Sequence, residues 1–475
     1  MFSSEHIILF FEYVIFFYCI FVMTSYLLMS AISFVAVRNY IKKDRLTDFQ
    51  SILTSPLQPS ISIIAPAFNE EVTIVDNIRS LLLVYYTNMT LIIVNDGSKD
   101  STLQQAIEAY DLVLTDEKYI DTISTKNVRG IYRSSNPAWK KLIVVDKENG
   151  GKSDALNVGI NICKSDYFAC IDVDCIIDAN AFLKLMMQVI LEKKKRVIAV
   201  GGMVWLTNGS EIKEGKLVSL RAPKEFIARM QVLEYCRAFI MGRTAWSTYN
   251  GLMLISGAFG LFDTKLVKTV GGYNTKTVGE DMELVIRMHK YMRERRLPYK
   301  VAYIPDPLCW TEAPSDGEIL GRQRNRWTRG TIECLLIHKN MFFNPRYGVL
   351  GLLSYPYWVF AEWLAGPVEA GGYIFVFLVI IFKLINWKIF IALVIFVYCF
   401  AVFLTLFALL TQQLVYQKFL RFGDLIKLCL TAFLEPVFYH PRTVWWALKG
   451  NYDKLFKNNH SWGAMTRKGF DTKKH

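Results

Sequence analysis

Two carboxylates interrupt a run that otherwise reads as a buried strand, in the stretch Cys170-Ile171-Asp172-Val173-Asp174-Cys175. On an extended backbone, residues two apart point to the same side, so Asp172 and Asp174 can share one hard divalent cation. Unpaired acids in such a run would be costly, and a Mg2+ or Mn2+ bridging them to a diphosphate removes that cost. The flanking Cys170 and Cys175 read as packing residues. The nine cysteines are scattered without a CxxC pair, which fits reduced thiols rather than a disulfide framework.

Further polar clusters recur at regular intervals: Pro66-Ala67-Phe68-Asn69-Glu70-Glu71, Asn95-Asp96-Gly97-Ser98-Lys99-Asp100, and the stretch from Asp146 to Asn157 that holds Gly150, Gly151, Lys152 and Asp154. An Asp-Gly-Ser triplet alone is ordinarily a turn. Here each cluster follows a short β-branched run: strands are predicted over 60–65, 91–94 and 142–145, with a fourth ending near Asp172. Helical periodicity over 72–83, 101–110 and 153–162 alternates with them, Asp100 or Ser101 serving as an N-cap. The pattern predicts a doubly wound parallel sheet, whose ligands bind beyond the carboxyl ends of the strands. All four clusters would then face one crevice. Lys152, behind two glycines that permit close backbone approach, can reach a phosphate there, although no GxxxxGK motif is present.

Two downstream stretches add candidates. Gly279-Glu280-Asp281 opens an amphipathic helix over 282–292, where Asp281 is either a chemical group or a helix cap. In the stretch from Gly321 to Gly330, Gln323, Arg326 and Trp327 fall on one helical face while Arg322, Arg324 and Arg329 point elsewhere. Trp327 offers a sugar a stacking face and Arg326 can neutralise a phosphate, whereas the plain alternative is a polybasic helix beside a membrane.

These elements sit in a chain too apolar for an ordinary soluble enzyme, with 52% hydrophobic residues among 475. From His6 to Val37 Glu12 is the one acidic or basic side chain after His6, a run long enough to span a bilayer and too long, with no basic leader, for a signal peptide. Arg38, Lys42, Lys43 and Arg45 follow it, placing what comes next in the cytoplasm. After Pro345 the chain turns apolar again. The run 347–382, broken by Pro356, Glu362, Pro367 and Glu369, is one broken span or two short ones, and 389–410 is a clean span. The segment 424–448 reads as an interfacial or re-entrant helix. A basic tail, including Lys454, Lys457, Arg467, Lys468, Lys473 and Lys474, returns to the cytoplasm, which three crossings satisfy. The expected organisation is an N-terminal span (1–45), an α/β domain (56–345), C-terminal spans (346–415) and an interfacial helix with the tail (416–475). The net charge of +13 collects beside apolar segments and in the tail, which suits anionic membrane lipids; no nucleic-acid signature accompanies it.

In this order and flanked by membrane segments, the motifs PAFNEE, NDGS, GGKSDALN, DVD, GED and QRNRW resemble those of membrane-embedded family 2 glycosyltransferases, the group of cellulose, hyaluronan, chitin and poly-N-acetylglucosamine synthases. The resemblance covers roughly residues 60–345. It implies a GT-A fold (Rossmann-like), a UDP-sugar donor, an inverting transfer, and a growing β-linked glycan as acceptor. It also implies roles: Ala67, Asn69, Glu70, Asp96, Lys152, Asp154 and Asp172 on the donor; Asp172 and Asp174 on Mg2+ or Mn2+; Asp281 as catalytic base; Glu280, Gln323, Arg326 and Trp327 on acceptor and diphosphate. Asn95-Asp96 departs from the paired acids of cellulose synthases, and no cyclic-di-GMP module follows the spans, so any activation by that nucleotide would need another subunit; accessory or export subunits join the donor, the glycan or lipid acceptor and membrane lipids as expected partners. The rival readings are transfer of one sugar to a lipid acceptor and an inactive synthase-like scaffold.

Overall fold

The computed structural model describes residues 4–47, 58–213, 216–415 and 421–457. Among these, one ten-stranded sheet forms the middle of the chain, in the order β3-β4-β5-β2-β1-β6-β11-β8-β12-β7. Its first half is the expected βαβ pattern: β1 (Ile61–Ala67), β2 (Met89–Asp96), β5 (Leu142–Lys147) and β6 (Tyr167–Ile171) run parallel. β3 (Leu112–Thr115) and β4 (Val128–Ser134) extend that edge antiparallel. The connecting helices Ile74–Leu82, Thr102–Ala109 and Lys152–Ile162 bury their apolar residues on the sheet. Gly159 lets the last of them lie close on β1, since a Cβ there would meet Ile64 at 2.3 Å.

The second half departs from a doubly wound parallel sheet. β11 (Phe259–Asp263) runs antiparallel to both β6 and β8 (Arg196–Leu206), while β12 (Tyr299–Thr311) is parallel to β8 and pairs antiparallel with the short β7 (Ile176–Ile177). The sheet is therefore mixed. The reason is local: β11 enters from the loop at Ser256-Gly257-Ala258 and pairs Phe259 with Ile171. That entry places the loop against the carboxyl end of β6, beside Asp172. A two-stranded ribbon, β9 (Glu211–Lys213) and β10 (Lys216–Ser219), forms a second sheet, with Ile212 and Leu217 packed against the main core.

Two described helices, Leu9–Arg45 and Trp387–Val415, are long and apolar enough to cross a membrane. A third candidate is the pair Leu350–Trp363 and Ala365–Ile381, bent by 43° at its junction, where the preceding turns are π-helical. The end of the first helix is fastened to the sheet domain: the Tyr40 hydroxyl donates to Asp306 at 3.1 Å. The segment expected as one interfacial helix is instead two, Phe422–Phe438 and His440–Leu455, divided at Tyr439 with Pro441 in the first turn of the second, where its missing N–H has no helical use. The first is tied to the sheet domain by Arg221 to Asp424 at 2.9 Å, and the second packs on the Gly317–Ile337 helix. Arg467, Lys468, Lys473 and Lys474 lie outside the described residues.

Candidate active site

The loops after β1 and β2 are clipped to each other. Asn69, in the left-handed region at φ 56, accepts the Lys99 N–H at 2.9 Å and its own N–H meets Ser98. The Glu70 N–H donates to Thr102, whose helix opens under the Asp100 carboxylate, and Glu71 accepts from Ser101. Asp100 is the acid that bonds the helix start; Ser101 takes the cap position without a side-chain bond. Ala67 is buried at the end of β1, level with Asn95. Gly97 has φ 68, and a Cβ there would press on the Asn149 backbone at 2.7 Å, so this turn is closed to other residues.

Asp96 is the hub of the third loop. Its carboxylate accepts the Gly150 and Gly151 N–H groups at 2.9 and 2.8 Å and the Lys147 ammonium at 2.6 Å. Lys147 also meets Asp154 at 2.7 Å and is fully enclosed. Nothing in the residue spacing marked Lys147, since a lysine ending a strand ordinarily reaches solvent. Asn95 donates to Asp146 at 2.7 Å. Thus Asp96 and Asp154 hold the Asn149-Gly150-Gly151 loop that presents Lys152 at a helix start.

Asp172 and Asp174 do not share an extended backbone. β6 ends at Ile171, and the Cys175 N–H returns to the Asp172 carbonyl at 2.9 Å, closing a tight turn. The turn nonetheless gathers the acids: one ligand atom each from Asp172, Asp174 and Cys175 lie within 4.8 Å of one another. The Asp172 and Asp174 carboxylates supply hard oxygen donors, a set that fits Mg2+ or Mn2+, with the buried Cys175 thiol beside them.

Lys152 bonds Asp172 and donates to the Gly257 carbonyl at 3.1 Å, and the Gly257 N–H donates to Asp281 at 3.1 Å. One residue, Gly257, thereby joins the lysine and the candidate base through its own N–H and C=O. The other Asp281 oxygen accepts the neighbouring Met282 N–H at 2.8 Å. The helix Glu280–Glu294 is capped by Gly279, so Asp281 is not its cap. Glu280 is buried, and burial with the Asp281 charge pushes its carboxyl up to about 7, against the pull of Lys152 and Arg326.

The Gly317–Ile337 helix brings the last motif against this pair. A Cβ on Gly279 would strike the Gly330 carbonyl at 2.8 Å, and one on Gly330 would lie 2.9 Å from the Gly279 Cα, so two glycines set the approach of motif to motif. Glu333, one turn on, accepts the Thr277 hydroxyl and Val278 N–H at 2.8 and 3.0 Å. The helix is not a polybasic surface. Arg324 and Arg329 are buried, and Arg322 alone among its arginines is exposed, paired with Glu318. Trp327 is 40% exposed, and the Arg324 guanidinium, expected to point elsewhere, lies 4.3 Å from its ring centroid.

A mixed sheet with acidic, lysine-bearing loops gathered at one end defines a GT-A-like α/β domain. The family described as glycosyl transferase family 2 matches residues 62–138, and glycosyltransferase like family 2 matches residues 135–330. The chain belongs to the family 2 glycosyltransferases. Among curated relatives, the poly-beta-1,6-N-acetyl-D-glucosamine synthases of Staphylococcus epidermidis and Staphylococcus aureus are each 28% identical over 277 residues, 58% of this chain and 55% of theirs. The matched stretch thus spans about half the length of those relatives. A mannosyltransferase from Pyrobaculum calidifontis, solved with GDP-Man and Mn2+, is 15% identical with a TM-score of 0.49, covering 92% of this chain and 100% of that one.

Proposed function

We propose that this chain is an inverting membrane glycosyltransferase that moves a sugar from a UDP-sugar to a growing β-linked polysaccharide, with its catalytic domain in the cytoplasm. The observation that carries the reading is the Gly257 bridge, which holds Asp281 across one residue from Lys152 and the Asp172–Asp174 turn. A base thus stands beside a diphosphate-binding group, as displacement at an anomeric carbon requires. Asp281, its plane fixed by the two N–H donors, takes the acceptor hydroxyl's proton as the new C–O bond forms on the face opposite the departing diphosphate. Lys152 and Arg326 meet the charge that builds on that leaving group. A Mg2+ or Mn2+ held by Asp172 and Asp174 would supply further charge neutralisation there. Trp327, with an exposed ring, offers the acceptor sugar a stacking surface.

The names of the curated relatives direct the choice of donor to UDP-N-acetylglucosamine and of product to a β-linked N-acetylglucosamine polymer. The test is UDP release by the purified protein with UDP-sugars offered singly, followed by sizing of the product. A ladder or high polymer is expected. A single glycolipid would reassign the acceptor to a lipid, and no UDP release from any UDP-sugar would overturn the enzymatic reading.

A further inference from the structure

The Trp327 ring, offered above as the acceptor's stacking surface, does not stand on its own helix alone. The Arg324 guanidinium lies 4.3 Å from the ring centroid, and Arg324 is buried while the indole is partly exposed. The covered face of the ring is therefore the inner one, and the open face is left for a sugar. A long arginine has many rotamers, so its guanidinium stays under a ring only where something anchors it. The anchor is Glu234, which accepts from Arg324 at 2.6 Å.

Glu234 lies on the helix Phe226–Tyr235, and its second oxygen accepts the Tyr439 hydroxyl at 2.8 Å. Tyr439 is 2% exposed and stands at the break between Phe422–Phe438 and His440–Leu455. A second rung runs beside this one: Arg237, three residues after Glu234, pairs with Glu435, four residues before Tyr439, at 2.9 Å. Two polar pairs thus fasten one helix to the other. The apolar packing follows the same lines, since Met230, Leu320 and Tyr439 form a buried cluster of their own with Trp446 against it. Tyr439 meets Trp446 edge-on at 6.2 Å, and Trp446 lies on Gly321 of the Trp327 helix, where a Cβ would come within 2.7 Å of its Nε1. A continuous line, Tyr439 to Glu234 to Arg324, therefore ends on the ring.

We propose that Glu234, fixed by Tyr439, is a positioning residue for the acceptor: through Arg324 it holds the Trp327 ring in place for a sugar to stack. The inference rests on the glycosyltransferase reading above, and it assigns part of the acceptor's affinity to residues that lie in none of the sequence motifs. Stacking holds the acceptor before and during transfer alike, so its loss raises the acceptor's KM and leaves kcat in place. UDP affinity does not depend on it, because the line ends on the ring and not on Lys152 or the Asp172–Asp174 turn.

The test uses the full chain in detergent, with UDP-N-acetylglucosamine as donor and a β-1,6-linked N-acetylglucosamine pentamer as acceptor. Glu234→Ala leaves a buried guanidinium without its carboxylate and can lower the thermal midpoint for that reason alone, whereas the double variant Glu234→Ala with Arg324→Met removes both charges and restores the midpoint. The double variant is expected to keep an acceptor KM raised about 3- to 10-fold, the worth of one stacking contact, with kcat and UDP affinity near those of the parent. Tyr439→Phe, which keeps the ring and removes the hydroxyl, should raise the same KM at least about twofold. A purely structural ion pair predicts that KM recovers together with the midpoint, and that result overturns the proposal. So does an unchanged KM in Tyr439→Phe, or a fall in kcat or UDP affinity in place of the KM shift. A parent that releases UDP but neither binds nor extends the pentamer sinks this inference alone. A parent that releases no UDP from any UDP-sugar sinks the glycosyltransferase reading itself.

Discussion

Lys147 and Asp96 lie 2.6 Å apart at the ends of neighbouring strands, with the lysine side chain wholly enclosed and the aspartate nearly so. A buried cation between two carboxylates, Asp96 and Asp154, holds the glycine loop that positions Lys152. Removing one member of such a buried set leaves uncompensated charge. Lys147→Met should therefore cost on the order of 3–5 kcal/mol of stability. Thermal or denaturant unfolding checks it, and an unchanged midpoint would show that the loop does not depend on this lysine.

Asp174→Asn replaces an anion in a turn whose carboxylates suit a hard cation. Mn2+-dependent UDP binding should fall at least about tenfold, while metal-free binding changes little. Calorimetry with and without chelator measures this. Equal metal dependence in parent and variant would remove Asp174 from the metal role.

Glu280 makes stability pH-dependent in a stated direction. Its folded carboxyl titrates at about 7 rather than 4.5, so the folded protein binds the proton more tightly than the unfolded chain does. The associated stability is complete below the unfolded value and is lost as pH rises through about 7. Glu280→Gln removes the titration. The parent's thermal midpoint should decline relative to the variant's between about pH 5 and about pH 8. A difference that stays constant over that range would contradict the assignment.

The C-terminal helix bears on the topology. Lys454 bonds Glu333 and Asn325 bonds Asp453, each at 2.8 Å, so His440–Leu455 lies on the same side of the membrane as the sheet domain. The chain between must cross an even number of times. Trp387–Val415 is long and apolar enough for one crossing, and the bent pair Leu350–Trp363 and Ala365–Ile381 is the candidate for the other. Single cysteines at Asp116 and Lys457 should react with an impermeant reagent from one side, and a cysteine at Asn386 from the opposite side. Labelling of all three from one side would refute three crossings.

Much of this was legible because the chemistry follows the period of the elements. The β-branched runs mark β1, β2, β5 and β6, and their carboxyl ends carry the polar clusters. The antiparallel course of β11 was not legible, since Phe259–Asp263 has the composition of any buried strand and its direction is set by where the Gly257 loop enters. Long-range pairs were also hidden. No local pattern couples Lys147 to Asp154, Arg324 to Glu234, or Gly279 to Gly330, because each contact depends on how two separate elements pack. The expectation that Arg324 points away from Trp327 failed for the same kind of reason: helical spacing gives the direction of departure from the backbone, and a long side chain held by Glu234 can curl back over the ring.

The central claim, that Asp281 is the base of a glycosyl transfer, is tested most directly by measuring UDP-sugar affinity and transfer on the same purified Asp281→Asn variant. The amide carbonyl can still accept the Gly257 N–H, so the cleft should keep its shape. It cannot take up the acceptor's proton. Transfer should fall by about 10² to 10⁴ while donor affinity stays near that of the parent. Near-normal transfer with intact binding would contradict the account.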